Sequence, residues 1–507
     1  MNRSTSRWAA AILALALASA ACAQEATENP LADRDGRSEG AGGDSGATGD
    51  RFRPGGPESV PAEDLDALVA DAISDVEDYW ERTYPDVYGG RFAPPSGGYH
   101  PYGPDVAPPA CGGERLTYEE LARNAFYCPP DDLIAWDEAT LIPEINETFG
   151  PLTVGMIFAH EFAHAIQDRA DVEGRTIDLE LQADCYAGAW AAHLLEAAPD
   201  AFDVDDRSLD SAVAGMVAIR DAPGTAEDDP FAHGSGFDRI GSFQEGYEDG
   251  PQACADYEDE PRDTVAFPFD PEDLLRPDPG NLQLEDFGPG CPEDLDERVL
   301  AGELDAVRDN VEQCGLASLL EADLNVYYQG LLAGQGEAWT PIADLVLSDP
   351  GRDEITCGGD TLAGDELRYA AIWCEDENIV VVDGDSLATD LYAIGDFALG
   401  AEIARLWAIS AQAQLGVDAL GSEDSLQADC LTGHYAASIF PDDTSRDADS
   451  RLLRISPGDL DEGVQGFLAL GDAEAGDTGT AFERTEALRT GVSQRIEGCE
   501  AEYGPLR

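Results

Sequence analysis

His160-Glu161-Phe162-Ala163-His164, with Glu180-Leu181-Gln182-Ala183-Asp184-Cys185 a short way behind it, is the stretch on which the reading of this chain turns. The chain has only six histidines in 507 residues, and two of them stand four apart with a glutamate beside the first. On an α-helix, positions i and i+4 share a face one turn apart, so both imidazoles reach a single metal ion. Glu161 is misplaced for a ligand but can reach a water on that ion, where a general base acts. The pattern points to Zn2+ and to hydrolytic chemistry.

Composition narrows the partners. The chain carries 104 acidic against 29 basic residues, a formal net charge of -75, and every basic residue is arginine. A field of that sign repels nucleic acid and anionic lipid, so neither is an expected partner. With 43% hydrophobic residues there is enough apolar material for packed cores. Arg3 and Arg7 precede an apolar run from Trp8 to Ala18 and then Ser19-Ala20-Ala21-Cys22, the pattern of an export signal over residues 1–22. Small residues before Cys22 fit a bacterial lipoprotein site, with a lipid anchor on that cysteine. Ser19, where a large aliphatic residue is usual, leaves ordinary signal cleavage as the alternative. Residues 23–60, rich in Gly, Ser, Asp and Pro, read as a flexible acidic linker. The expected location is outside the cell, either lipid-anchored on the outer face of the membrane or secreted.

The cysteines expose a repeat. Besides Cys22 there are ten, an even number that suits an oxidising compartment and up to five disulfides. Cys111-Gly112-Gly113 recurs as Cys357-Gly358-Gly359, Cys128 as Cys374, Leu181–Cys185 as Leu426–Cys430 and Cys254 as Cys499, always at an offset of 245 or 246. The chain reads as two copies of one domain. The repeat suggests bridges Cys111–Cys128, Cys185–Cys254, Cys357–Cys374 and Cys430–Cys499, with Cys291–Cys314 left over, although spacing by itself fixes no connectivity. In this register Arg405-Leu406-Trp407-Ala408-Ile409 replaces the histidine segment and Ser425 replaces Glu180. The second copy is therefore expected to be degenerate and unable to hold zinc. Glu180 disappears together with the histidines, whereas Asp184 survives as Asp429. Glu180 is accordingly read as the third ligand and Asp184 as a partner orienting a histidine ring. The reverse assignment stays open.

The coarse fold follows from periodicity. Leu65, Leu68, Val69, Ala72, Ile73, Val76 and Trp80 form a stripe that predicts a helix over 61–83. Residues 132–137 predict a strand, repeated at 378–383. Helices are predicted from Pro151 to about residue 169, from Thr176 to about residue 197, over 208–220 and over 238–249. Residues 258–290, dense in Pro and Asp, read as a linker. The expected class is α+β, predominantly α, with the zinc-site domain over 61–257 and the degenerate repeat over 291–507. His100, His193 and His434 have no partners in sequence and are read as structural or surface residues.

Cys111-Gly112, Phe126-Tyr127-Cys128-Pro129, Ala159-His160-Glu161, Glu180 to Cys185, and His233-Gly234-Ser235 with Arg239 and Cys254 resemble the neutral zinc metallopeptidases of bacteria, over roughly residues 60–257. The resemblance implies a zincin-like fold, a glutamate third ligand and His233 as a stabiliser of the oxyanion, for which a capping or loop histidine is the alternative. Ala165 departs from members that carry a further histidine there, and this leaves the metal untouched. On this reading the protein is an exported zinc-dependent peptidase acting on peptide or protein substrates, with Glu161 as general base. Strand 132–137 is expected to offer its edge to an extended substrate; the alternative is an ordinary sheet strand, and the two readings are compatible. The competing reading is a non-catalytic envelope binding protein with a structural zinc and a peptide- or protein-recognition surface. The intact Glu161 favours catalysis.

Overall fold

The computed structural model describes residues 59–197, 202, 204–229, 232–258, 260–265, 269, 281–284, 291–292, 294–303, 313–417, 422–440, 451–471 and 478–506. The export signal, Cys22, nearly all of the 23–60 linker and most of 258–290 lie outside the described residues. The chain divides into two compact units between Pro268 and Phe269. Both are predominantly helical with small sheets, the α+β class expected. Among the described residues, no helix is long and apolar enough to cross a membrane.

In the first unit, α1 (Leu65–Val87) buries Leu65, Leu68, Val69, Ala72, Val76 and Trp80, whose three- and four-residue spacing gives it one apolar face. A three-stranded sheet follows, made of β1 (Gly98–Tyr102), β2 (Ala125–Cys128) and β3 (Leu133–Asp137) in the order β1-β3-β2. β1 runs parallel and β2 antiparallel to β3. The stretch at 132–137 is thus the central strand, bonded on both sides, and the expectation that it offers an edge to substrate is corrected. The outer edges belong to β1 and β2. The Asp137 N–H donates to the Asn124 carbonyl at 2.8 Å. Antiparallel pairing alternates, so 126 and 128 also bond to β3 while the N–H and C=O groups of Ala125 and Tyr127 point outward.

The helix α2 (Leu141–Ala170) breaks at Gly150, with φ 80° and ψ -179°. Glycine takes that φ without strain, and Pro151 lacks the N–H that would bond back across the break. Pro151 does open the segment that carries both histidines, but residues 141–149 form a helical stretch ahead of it that periodicity did not separate. After Asp171, left-handed at φ 60°, residues 171–175 lead into α3 (Thr176–Ala197). Next come α4 (Asp206–Ala218), capped by Asp205, and α5 (Gly236–Asp249), capped by Ser235, then α6 (Pro251–Asp256). α3 and α5 cross backbone to backbone. A Cβ on Gly188 would stand 1.9 Å from the Phe243 carbonyl oxygen, and one on Gly246 would stand 1.8 Å from that of Cys185.

The second unit holds α7 (Leu316–Gln335), β4 (Leu345–Ser348), the hairpin β5 (Glu354–Cys357) and β6 (Asp360–Ala363), β7 (Ala371–Cys374) and β8 (Ile379–Asp383). It continues with α8 (Leu387–Tyr392), α9 (Asp396–Gln414), α10 (Ser422–Ser438), α11 (Asp459–Leu470) and α12 (Ala481–Tyr503). Its larger sheet has the order β4-β8-β7, again one parallel and one antiparallel pairing. A Cβ on Gly433 would stand 2.0 Å from the Leu488 carbonyl oxygen, and one on Gly491 would stand 1.9 Å from that of Cys430. All five suggested disulfides are formed, Cys291–Cys314 included. Within the stretch read as a linker, the Leu282 N–H donates to the Asp396 carboxylate at 2.7 Å, so part of it is bonded to the second unit.

Gly246→Ala is expected to destabilise the first unit by about 3 kcal/mol, the upper end for overpacking, because backbone rather than a side chain must yield. Gly174→Ala, whose Cβ meets its nearest atom at 3.5 Å, is expected to change stability by less than about 0.5 kcal/mol. Urea unfolding of the two variants checks the difference.

Candidate metal centre

α2 presents His160 and His164 one turn apart, and α3 brings Glu180 against them. His160 Nε2 and His164 Nε2 are 3.2 Å apart. Glu180 Oε2 lies 3.1 Å from His160 Nε2, and its Oε1 lies 3.6 Å from His164 Nε2. Ligands at zinc–nitrogen and zinc–oxygen bond lengths on a tetrahedron stand roughly 3.3 Å from one another. The three separations bracket that value, so the donor set fits a tetrahedral zinc with one corner left over. Charge fits as well. Burial works against a positive charge on His160, but Asp184 and Glu180 outweigh it and push the imidazole up to about 10. Burial likewise disfavours the Glu180 anion, yet His164, His233 and His160 hold it well below the usual carboxylate range. The charge of the pocket suits a cation.

The far sides of the rings are also held. Asp184 Oδ1 lies 2.9 Å from His160 Nδ1, across the ring from Glu180. The same carboxylate accepts from Arg239 Nε at 2.8 Å and Nη2 at 2.9 Å. Both partners are buried. Burial of Asp184 opposes its charge, but Arg239 and His160 keep the carboxyl below its ordinary value. His164 Nδ1 faces Gln167 Oε1 at 2.9 Å.

Glu161 points into the site from the same helix, and its Oε2 accepts from the outward N–H of Tyr127 on β2 at 2.7 Å. Burial raises its carboxyl, against the pull of His160 and His164. His233, in the loop before α5, sets Nδ1 3.1 Å from Asp221 Oδ1, and the N–H groups of His233 and Gly234 donate to Asp221 Oδ2 at 2.6 and 2.9 Å. His233 lines the same cavity as the three candidate ligands and Glu161, with Phe126, Met156, Ile157 and Met216 among the apolar walls. All six site residues read from sequence are therefore brought to one cavity. The remaining histidines lie elsewhere. His100 bonds the Gly97 carbonyl, His193 meets Arg82, and His434 in the second unit meets the Tyr327 hydroxyl. Sequence reasoning missed Asp221, Gln167 and the Tyr127 backbone. For Gln167 a signal existed, since Gln412 stands in its place in the second unit.

That unit holds a partly similar arrangement. Asp429 accepts from Arg484 Nε at 2.9 Å and Nη2 at 3.1 Å, as Asp184 does from Arg239. In place of His160, Arg405 donates to Ser425 Oγ at 2.5 Å and pairs with Asp429 at 3.3 Å.

Residues 57–257, within the first unit, match the model of the family described as "Putative neutral zinc metallopeptidase". That family implies zinc and a peptide hydrolase. The uncharacterized protein Rv2575 of Mycobacterium tuberculosis is 29% identical over 156 residues, 25% of this chain and 53% of that protein. The uncharacterized protein YpfJ of Escherichia coli is 26% identical over 155 residues, 25% of this chain and 52% of that protein. The chain thus spans about half the length of the curated relatives it matches. No solved structure matches it.

Arg239→Met strands the Asp184 carboxylate on its α5 side and is expected to cost about 3–5 kcal/mol in urea unfolding, as breaking a buried ion pair does. A change below about 1 kcal/mol contradicts the bracing role.

Proposed function

We propose that the first unit is a zinc-dependent peptidase of an exported protein, with His160, His164 and Glu180 as ligands and Glu161 as general base. The triangle of donor atoms at tetrahedral spacing carries this reading. Bound there, zinc would supply a water of pKa about 7 and would polarise the peptide carbonyl. Glu161 takes the water's proton and returns it to the leaving amine. Its Oε2 is held by the Tyr127 N–H, which leaves Oε1 for the proton. His233, braced by Asp221, donates toward the oxygen that gains charge. The outward carbonyl groups of Ala125 and Tyr127 offer an extended peptide a strand to pair with, the role first sought in 132–137.

The second unit is read as a degenerate, non-catalytic duplicate. Support comes from the shared strand order, the repeated glycine crossing, the equivalent bridges and the constant sequence offset. Export, with a lipid anchor on Cys22 or as a secreted form, rests on the leader pattern and on five disulfides, which belong to an oxidising compartment. A purely structural zinc is disfavoured by Glu161, a carboxylate with one oxygen to spare beside the three donors.

In the full zinc-loaded chain, Glu161→Gln is expected to slow cleavage of denatured casein by about 10^2–10^4-fold while zinc content stays unchanged. A variant as active as wild type overturns the base assignment. Zinc-loaded wild type that cleaves nothing in a broad peptide library returns the site to a binding role.

A further inference from the structure

We infer that Gln167 is a positioning residue for the metal centre, holding His164 with Nδ1 protonated and Nε2 turned toward the ion; this rests on the reading of His164 as a ligand. A glutamine amide presents an acceptor at one end and a donor at the other, so its direction decides which histidine tautomer it accepts. Here the direction is fixed from behind. Gln167 Nε2 donates to the Leu179 carbonyl at 2.7 Å and to Gln182 Oε1 at 3.0 Å. A flipped amide would set its oxygen against two acceptors. Oε1 must therefore face His164 Nδ1, and only an N–H there satisfies it. Gln182 is anchored in turn, its Nε2 donating to the Cys254 carbonyl at 2.9 Å, on the helix that Cys185–Cys254 bolts to α3. Both glutamines are buried, at 5% and 1% exposure, so water does not compete for these bonds.

The second unit carries the control. Gln412 Nε2 donates to the Asp424 carbonyl at 2.7 Å and to Gln427 Oε1 at 2.9 Å, and Gln427 Nε2 reaches the Gly504 carbonyl at 2.6 Å. Ile409 stands where His164 would be, and the buried Gln412 Oε1 finds no partner among the described residues. The pair thus takes the same direction with no histidine to satisfy. The glutamines order the histidine, and not the reverse. An unsatisfied buried acceptor is costly, which suits a frame that has outlived its ligand.

The test is the zinc affinity of the full chain, read by competition with a chromogenic chelator, for wild type, Gln167→Leu and Gln412→Leu. Gln167→Leu is expected to bind zinc about 10–100-fold more weakly, as loss of a ligand's outer partner does, and Gln412→Leu to match wild type. A wild-type affinity in Gln412→Leu shows that losing the same kind of buried amide elsewhere in the chain leaves zinc binding alone. Gln182→Leu, which keeps Gln167 but removes the acceptor that directs its amide, separates positioning from packing: a merely structural role of Gln167 would leave the affinity of Gln182→Leu at the wild-type value. Affinity of Gln167→Leu within about twofold of wild type, or an equal loss in Gln412→Leu, overturns the inference. If Gln167→Leu fails to fold, Gln182→Leu frees the amide to flip and is expected to lose affinity to a smaller extent; no loss there overturns it too. Wild type that binds no zinc overturns the proposed function and this inference together, whereas tight wild-type binding with an indifferent Gln167→Leu overturns this one alone.

Discussion

One carboxylate, shared between a guanidinium and an imidazole, holds the first unit's site together. Asp184 on α3 takes two N–H bonds from Arg239 on α5 and lies, buried, against His160 on α2. A buried charge is tolerated only while its partners stay in place, so the three helices cannot drift apart without stranding it. The crossing at Gly188 and Gly246 makes the constraint stiff, because α3 and α5 meet through backbone rather than adjustable side chains. With α3 fixed, Glu180, one turn before Asp184, has little freedom except to face the two histidines.

On the reading of the second unit as a degenerate duplicate, it has a similar frame around different groups. Asp429 keeps its guanidinium partner Arg484, and Gln412 keeps Gln427. Where the first unit has an imidazole, Arg405 offers a permanent charge that pairs with Asp429 and bonds Ser425. A guanidinium stays protonated at any ordinary pH and has no lone pair to give a metal. The position proposed to seat a metal cation in one unit is filled by the chain's own cation in the other. The electrostatic demand of the buried carboxylate is met in both.

Much of the architecture was legible because its signals are local. An apolar stripe marked α1, and the i, i+4 histidines needed only helical geometry. Glu180 required the repeat, since nothing local separates it from Asp184. The strand at 133–137 was legible as a strand but not as the central one, because a short apolar run does not name its neighbours. Residues 141–149 were hidden behind Gly150 and Pro151, which read as the start of a helix rather than a break within a longer helical run. Asp221 and His233 meet across a loop with no periodicity, and the pair does not recur in the sequence, since Gly466 and Thr478 stand at the offset positions. Gln167 was visible as a recurrence at Gln412, but its meaning depended on which way an amide points, and that is a tertiary fact.

A crystal of the full chain measured on both sides of the zinc absorption edge bears most directly on these conclusions. The expected result is one strong anomalous peak, about 2.0–2.2 Å from Nε2 of His160, Nε2 of His164 and an oxygen of Glu180, with none beside Arg405. A peak among Asp396, Asp459 and Glu462 instead, where three carboxylates also converge, with nothing between the two histidines, would contradict it.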